Sequence, residues 1–168
     1  MVVSDRDFYK IIQDTWASTL GFLVDRSASA DISAFGALTV CVKLTGAWEG
    51  ELRLHCSPPL ARLIAAAFFQ VEADFAGSEE TLDALSELIH IIGGNLKALL
   101  PQPVTLSLPS LLDPTDWTQT TSPWQLVSRL TLVSEGYPFV VTLLGNHPAT
   151  NNVENPADWV SLLPVEKP

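Results

Sequence analysis

Positive charge is scarce in this chain. Nine Lys and Arg stand against nineteen Asp and Glu, giving a formal charge of -10 and a pI near 4.5. Such a surface repels phosphate backbones and anionic lipid, which excludes nucleic acid and the membrane surface as expected partners. Long apolar runs are missing too. A stretch such as LIAAAFF, at 63–69, falls far short of the roughly 20 residues that span a bilayer. The opening MVVSDRDFYK carries charge where a signal peptide would be apolar, and the expectation is a soluble, cytoplasmic protein. Cysteine is limited to Cys41 and Cys56, with no CxxC spacing and no histidine cluster beside them, so no metal site is expected. The two lie in adjoining predicted strands and read as reduced, half-buried thiols without a function.

What the chain does contain is enough apolar material for a core. At 168 residues and 47% hydrophobic content it reads as one domain over 1–145, followed by an irregular tail at 146–168 that is rich in Asn and Pro and docks, if at all, through Trp159 and Leu162. Ser4 is a candidate cap for a first helix carrying Phe8, Ile11, Ile12, Trp16 and Leu20 at helical spacing. FGALTVCVKL and GELRLHC flank the Gly-bounded turn TGAWEG and predict a hairpin. SPPLARLIAAAFFQ, with prolines at its start, predicts a second and largely buried helix. A long helix follows, with Ser78 as its expected cap and Pro101 as its stop. Beyond it come a strand at VTLSL, a Pro- and Thr-rich loop over PSLLDPTDWTQTTSP, and a second hairpin from WQLVSRLTLVS and FVVTLLG around EGYP. Segregated strands and helices of this kind predict an α+β fold, a mainly antiparallel sheet packed with three helices.

The long helix carries the chemistry. At about 100° per residue, Leu85, Leu88, Ile89, Ile92, Leu96 and Leu99 fall in one sector and form the stripe that faces a core. Asp83, Glu87, His90, Gly94 and Lys97 lie opposite, spaced by three or four, as one outward ridge. Gly93 adjoins it. Each glycine costs a helix about 1 kcal/mol relative to alanine, so the pair is either a helix break or a concession to something that must come close. The continuing stripe through Leu96 and Leu99 favours an unbroken helix with a bare patch beside Glu87 and His90. A solvated helix also carries its charges outward as a matter of course, and Glu87 and His90 alone are compatible with a face that meets only water. Asn95 lies near the margin of the apolar stripe and is expected to hydrogen-bond neighbouring backbone rather than to do chemistry.

The segment ELIHIIGGN, read together with Asp83, resembles the active-site helix of the CheC/CheX/FliY family of bacterial chemotaxis phosphatases, and CheX-like members most closely. That helix carries Asp or Ser, three residues, Glu, two residues and Asn. Asp83, Glu87 and His90 occupy those places here. GALTVCVKLTGAWEGELRLHCSPPLARLIAAAFF and VTLSLPSLL are similar to the family's segments before and after the helix, and the likeness covers roughly residues 30 to 145.

The resemblance implies hydrolysis of the aspartyl phosphate on a CheY-type receiver domain. The family's Asn orients the attacking water and its Glu engages the receiver's lysine. Any Mg²⁺ belongs to the receiver, and no cofactor of the chain's own is implied. This is catalysis by positioning. Glu87 and His90 are then the catalytic candidates, and Asp83, Glu87, Gly93 and Gly94 the partner-binding ones, the glycines letting the partner's backbone approach. His90 departs from the motif, because an imidazole cannot offer the donor and acceptor of one planar amide at the same reach, although an unprotonated ring nitrogen can accept a hydrogen bond from water. A second reading is a binding module that docks on a receiver without catalysis. A third takes His90 as a phosphoacceptor, but such domains are helical bundles and this chain has about five predicted strands. The resemblance also admits a homodimer, for which an edge strand of the WQLVSRLTLV hairpin is a physical route.

Overall fold

The structure, a computed structural model, describes residues 3–28, 37–112 and 123–146. The expected tail, with Trp159 and Leu162, and residues 113–122 of the Pro- and Thr-rich loop lie outside them. Three helices are present: α1 at Asp5–Leu20, α2 at Pro58–Phe69 and α3 at Ser78–Lys97. The strands are β1 at Asp25–Arg26, β2 at Leu38–Gly46, β3 at Gly50–Cys56, β4 at Val104–Leu106, β5 at Ser110–Leu112, β6 at Gln125–Ser134 and β7 at Tyr137–Gly145. They form one antiparallel sheet in the order β1-β6-β7-β3-β2-β4, with β5 lying beside β4 on the same edge of β2. The α+β expectation holds, both hairpins included.

Local chemistry explains the boundaries. The Ser4 hydroxyl accepts from the Asp7 amide at 3.1 Å and caps α1, which ends at Gly21 with φ +72°. Pro58 and Pro59 open α2, where their missing N–H groups cost nothing. The β6–β7 turn places Glu135 and Gly136 both at positive φ, as a tight two-residue hairpin loop requires. The strands alternate. Val40, Val42, Leu44, Leu52, Leu54, Phe139, Val141 and Leu143 point to the helices, where they join Phe8, Ile12 and Trp16 of α1 in one core. Trp16 stacks on Phe139 with ring centroids 4.4 Å apart. Ser128, which shares this side through its pairing with Leu143, donates to the Asp5 carboxylate and ties β6 to the start of α1.

The opposite face of the sheet is not the solvated one that antiparallel alternation leads one to expect. Thr39, Cys41, Glu51, His55 and Val140 are buried there as well. Glu51 pairs with Arg53, and Thr39 Oγ1 lies 2.6 Å from His55 Nδ1. Cys41 is opposite Arg53 on this face whereas Cys56 joins the core, so the two cysteines lie on opposite faces of the sheet and are free thiols. Burial pushes the Cys56 thiol up to about 12 and raises that of Cys41, which keeps both protonated.

Burial, with a smaller contribution from the Arg129 charge, lowers His55 from 6.5 to about 4. The folded chain therefore holds this imidazole neutral while the unfolded chain protonates it near pH 6.5. The sign follows: stability is full above pH 6.5, falls as the pH drops below it, and the loss is complete near pH 4. Between pH 7 and 5 the loss from this one group is on the order of 2 kcal/mol. Urea denaturation of the wild type and His55→Gln across that range checks it. The variant is expected to show a shallower decline, and parallel declines would show that His55 does not drive it.

Candidate functional site on helix α3

Helix α3 begins one residue earlier in its capping than the sequence suggests. Gly77 is the cap and Ser78 is already helical; the Thr81 amide donates to the Gly77 carbonyl at 3.0 Å, and the Thr81 hydroxyl donates to the same oxygen at 2.7 Å. Glu79 and Glu80 sit at the positive end of the helix dipole. The helix ends at Lys97 rather than running to Pro101. Leu99 and Leu100 close tighter turns onto Leu96 and Lys97.

The expected stripe is buried: Leu85, Leu88, Ile89, Ile92 and Leu96 are each 0% exposed. Asp83, Glu87, His90 and Gly94 are exposed on the other side, and Lys97 is half-buried. The helix is continuous through both glycines. From Asp83 to Gly94 the ridge is about 16 Å long, at about 1.5 Å per residue. Asp83, Glu87 and His90 make no hydrogen bond or ion pair with the described residues. Such a carboxylate and imidazole, about one turn apart and bathed in water, can hold a cation and a water molecule only when a second surface covers them.

The two glycines have different surroundings. A Cβ at Gly94 would meet nothing within 4 Å. A Cβ at Gly93 would lie 3.3 Å from the Leu106 methyl groups and 3.4 Å from Val42. Gly93 is thus buried under β4 and β2 and is a packing glycine, which corrects the expectation that a partner approaches it. Gly94, by contrast, faces open space. Asn95 donates not to neighbouring backbone but to the hydroxyl of Thr15, at 3.1 Å, and links α3 to α1. Sequence reasoning also passed over the short edge strand β5 and the exposed Leu108 and Leu111 around it. The alternation in LSLPSLL was the available signal, and Pro109 obscured it.

Among the described residues no group of three or more His, Cys, Asp or Glu is placed to hold a metal ion, and no helix is long and apolar enough to cross a membrane. The family model for the chemotaxis phosphatase CheX matches residues 38–127, just over half of the chain. No curated protein matches. Solved structures share the fold at low identity. CheX from Vibrio vulnificus is 13% identical with a TM-score of 0.69, over 84% of this chain and 95% of that one. A chain of the CheX–CheY–BeF3–Mg complex from Borrelia burgdorferi is 17% identical with a TM-score of 0.65, over 88% and 100%. A CheC-like protein from Shewanella sp. PV-4 is 14% identical with a TM-score of 0.64, over 83% and 95%. An antiparallel sheet with three helices is the α+β fold that these structures share with the chain. Within it, the chain belongs to the CheX family of chemotaxis phosphatases.

The contrast between the glycines can be measured. Gly94→Ala is expected to stabilise the protein by about 0.5–1 kcal/mol, the helix-propensity gain unopposed by any contact. Gly93→Ala has the same propensity gain but must displace Leu106, and is expected to gain nothing or lose stability. Equal midpoint shifts in urea would show that Gly93 is not under packing pressure.

Proposed function

We propose that this protein docks through the α3 ridge on a phosphorylated CheY-type receiver domain and hydrolyses its aspartyl phosphate. The observation that carries the reading is the exposed, uncommitted Glu87–His90 pair at the family's motif positions on a buried and therefore rigid helix. A relative of the same fold, from Borrelia burgdorferi, forms a complex with CheY, BeF3 and Mg.

In this mechanism Glu87 engages the receiver's lysine and sets the register of the two proteins, with Asp83 one turn earlier and Gly94 one turn later completing the contact. His90 stands over the phosphoryl group. An unprotonated ring nitrogen accepts a hydrogen bond from water and holds it in line. The water oxygen forms the new bond to phosphorus, the bond to the aspartyl oxygen breaks, the carboxylate leaves and inorganic phosphate is released. The Mg²⁺ that the receiver carries supplies charge neutralisation on its own side. Because an acyl phosphate is already activated, placing the water supplies much of the acceleration. An imidazole does this with less complete geometry than an amide, so the reaction is slow. A binding module without turnover is the second reading, favoured by the same His90. A homodimer fits the fold through the outer edge of β6, which among the described residues is covered by β1 at Leu132 and Val133 and by the Ser27 amide at Thr131.

Two substitutions test the assignment. Glu87→Ala is expected to leave stability within about 0.5 kcal/mol, since the side chain is exposed, while costing about 2 kcal/mol or more of receiver binding. Calorimetric titration with a beryllofluoride-activated receiver measures it, and unchanged affinity counts against docking through Glu87. His90→Asn restores the family's amide and is expected to accelerate receiver dephosphorylation by about 10-fold, a demand of about 1.4 kcal/mol on one hydrogen-bonding group. Phosphate release from a labelled receiver reads the rate. A lower rate in the variant would make His90 the better water-positioner, and no release by either protein would leave the binding module.

A further inference from the structure

Between Arg62 and His90 the sequence holds six carboxylates, Glu72, Asp74, Glu79, Glu80, Asp83 and Glu87, and no cation. The first four flank an apolar turn. Helix α2 is capped by Gln70, whose positive φ of 53° turns the chain, and a 3₁₀ turn at Ala73–Phe75 leads on to α3. Phe69 is 47% exposed here, Val71 43% and Phe75 78%. The three lie within seven consecutive residues, so no more than about 20 Å separates them even along an extended chain. Hydrogen bonds hold the turn. The Gln70 and Val71 amides both donate to the Ala66 carbonyl, and the Phe75 and Ala76 amides donate to the carbonyls of Glu72 and Ala73. Ala76 packs against the core while its neighbour Phe75 stays in solvent. The Glu80 carboxylate folds back over Gly77, two residues past Phe75.

We propose that this turn is a docking surface for a cationic amphipathic segment of a partner protein. Apolar side chains of the segment cover Phe69, Val71 and Phe75, and its Lys and Arg side chains meet the carboxylates on either side. The first support is the apolar turn itself. Single exposed apolar side chains are ordinary on a soluble surface, but three on one hydrogen-bonded turn mark a surface that something covers. The second support is charge, which says what the cover is. Glu72, Asp74, Glu79 and Glu80 are exposed and make no ion pair with the described residues, so an apolar centre is flanked by four like charges. A cationic partner is drawn in by that field and completes the polar rim of such an interface. The same sign turns away the other takers of exposed aromatics. Anionic lipid is repelled, and a second copy arrives with a formal charge of -10 of its own. A turn already fixed by hydrogen bonds loses little freedom on binding, which suits capture of a short segment. Neither Glu87 nor His90 belongs to this surface, and the inference is independent of the function proposed above.

The test is fluorescence anisotropy of a labelled peptide of about 15 residues, built of Lys and Leu with the leucines at i, i+3 and i+4 spacing, titrated with the whole protein. Wild type is expected to bind it with a Kd on the order of micromolar that weakens as salt is raised. Phe75→Ser is expected to raise Kd by about 5-fold or more. Glu79→Gln combined with Glu80→Gln is expected to raise it by about 10-fold, with a flatter salt dependence. Leu23→Ser is the control, a side chain 81% exposed beside β6, and is expected to bind as wild type does. Circular dichroism establishes that each variant is folded. Should the double variant fail to fold, having lost two charges at the positive end of the α3 dipole, Phe75→Ser decides, since a 78%-exposed side chain carries little of the fold. Wild-type affinity in Phe75→Ser, or an equal loss in Leu23→Ser, overturns the inference and reduces the binding to a general attraction between acidic surface and cation. No binding by wild type, or equal binding of a peptide with Glu in place of Lys, overturns it as well. A fall in the solution mass of Phe75→Ser with peptide affinity unchanged overturns it in favour of a second copy.

Discussion

The burial of one face of α3 against the sheet is the constraint on which the rest depends. Leu85, Leu88, Ile89, Ile92 and Leu96 are all fully enclosed, and removing any one of them to alanine would cost about 2–5 kcal/mol. The rotation of the helix about its own axis is therefore over-determined. Turning it by a single residue position would expose several of these side chains at once, so the direction of Asp83, Glu87, His90 and Gly94 is set by residues buried in the core. Gly93 adds the remaining coordinate. With no side chain under Leu106, the helix can lie close to β4 and β2 at the level of the ridge.

The backing of that helix comes from α1. Asn95 reaches Thr15, a residue 1% exposed, and the next residue of α1, Trp16, is stacked on Phe139 of β7. A polar contact and an aromatic one thus hold α1 between α3 and the middle of the sheet. Ser128 and Asp5 pin its start to β6. Positions that a reader of the ridge would overlook are in this way responsible for its rigidity. Rigid elements are where a positioning site has to be built if atoms are to be held to a fraction of an ångström.

Much of this was legible in the residues, for physical reasons that differ from element to element. The first helix announces itself through Ser4 and its apolar spacing, both hairpins through period-two runs around Gly-bearing turns, and the ridge through the 3.6-residue period of α3. Periodicity stops being informative at the margins of a stripe. Gly93 sits at such a margin, and only the strand laid across it decides that it is buried. Asn95 sits at the other margin, and its partner is 80 residues away in the chain. The strand β5 escaped because Pro109 interrupts the alternation of LSLPSLL just before its three residues. The buried second face of the sheet escaped because Thr39, Glu51 and His55 read as the solvated half of an alternating pattern. In each case the information lies in contacts between distant segments.

The exposure of His90 has a consequence for lineage rather than for mechanism. A side chain with no hydrogen bond or ion pair to the described residues can be exchanged without disturbing folding, so under the proposed function natural variation at this position would be filtered by signalling. Under the proposed function, a single codon change there would convert a signal terminator into a protein that merely occupies the receiver, or convert it back, while the scaffold stays equally stable. Families built on such a plan can drift between erasing a phosphorylation signal and sheltering it, and the sheet beneath would carry no record of the change.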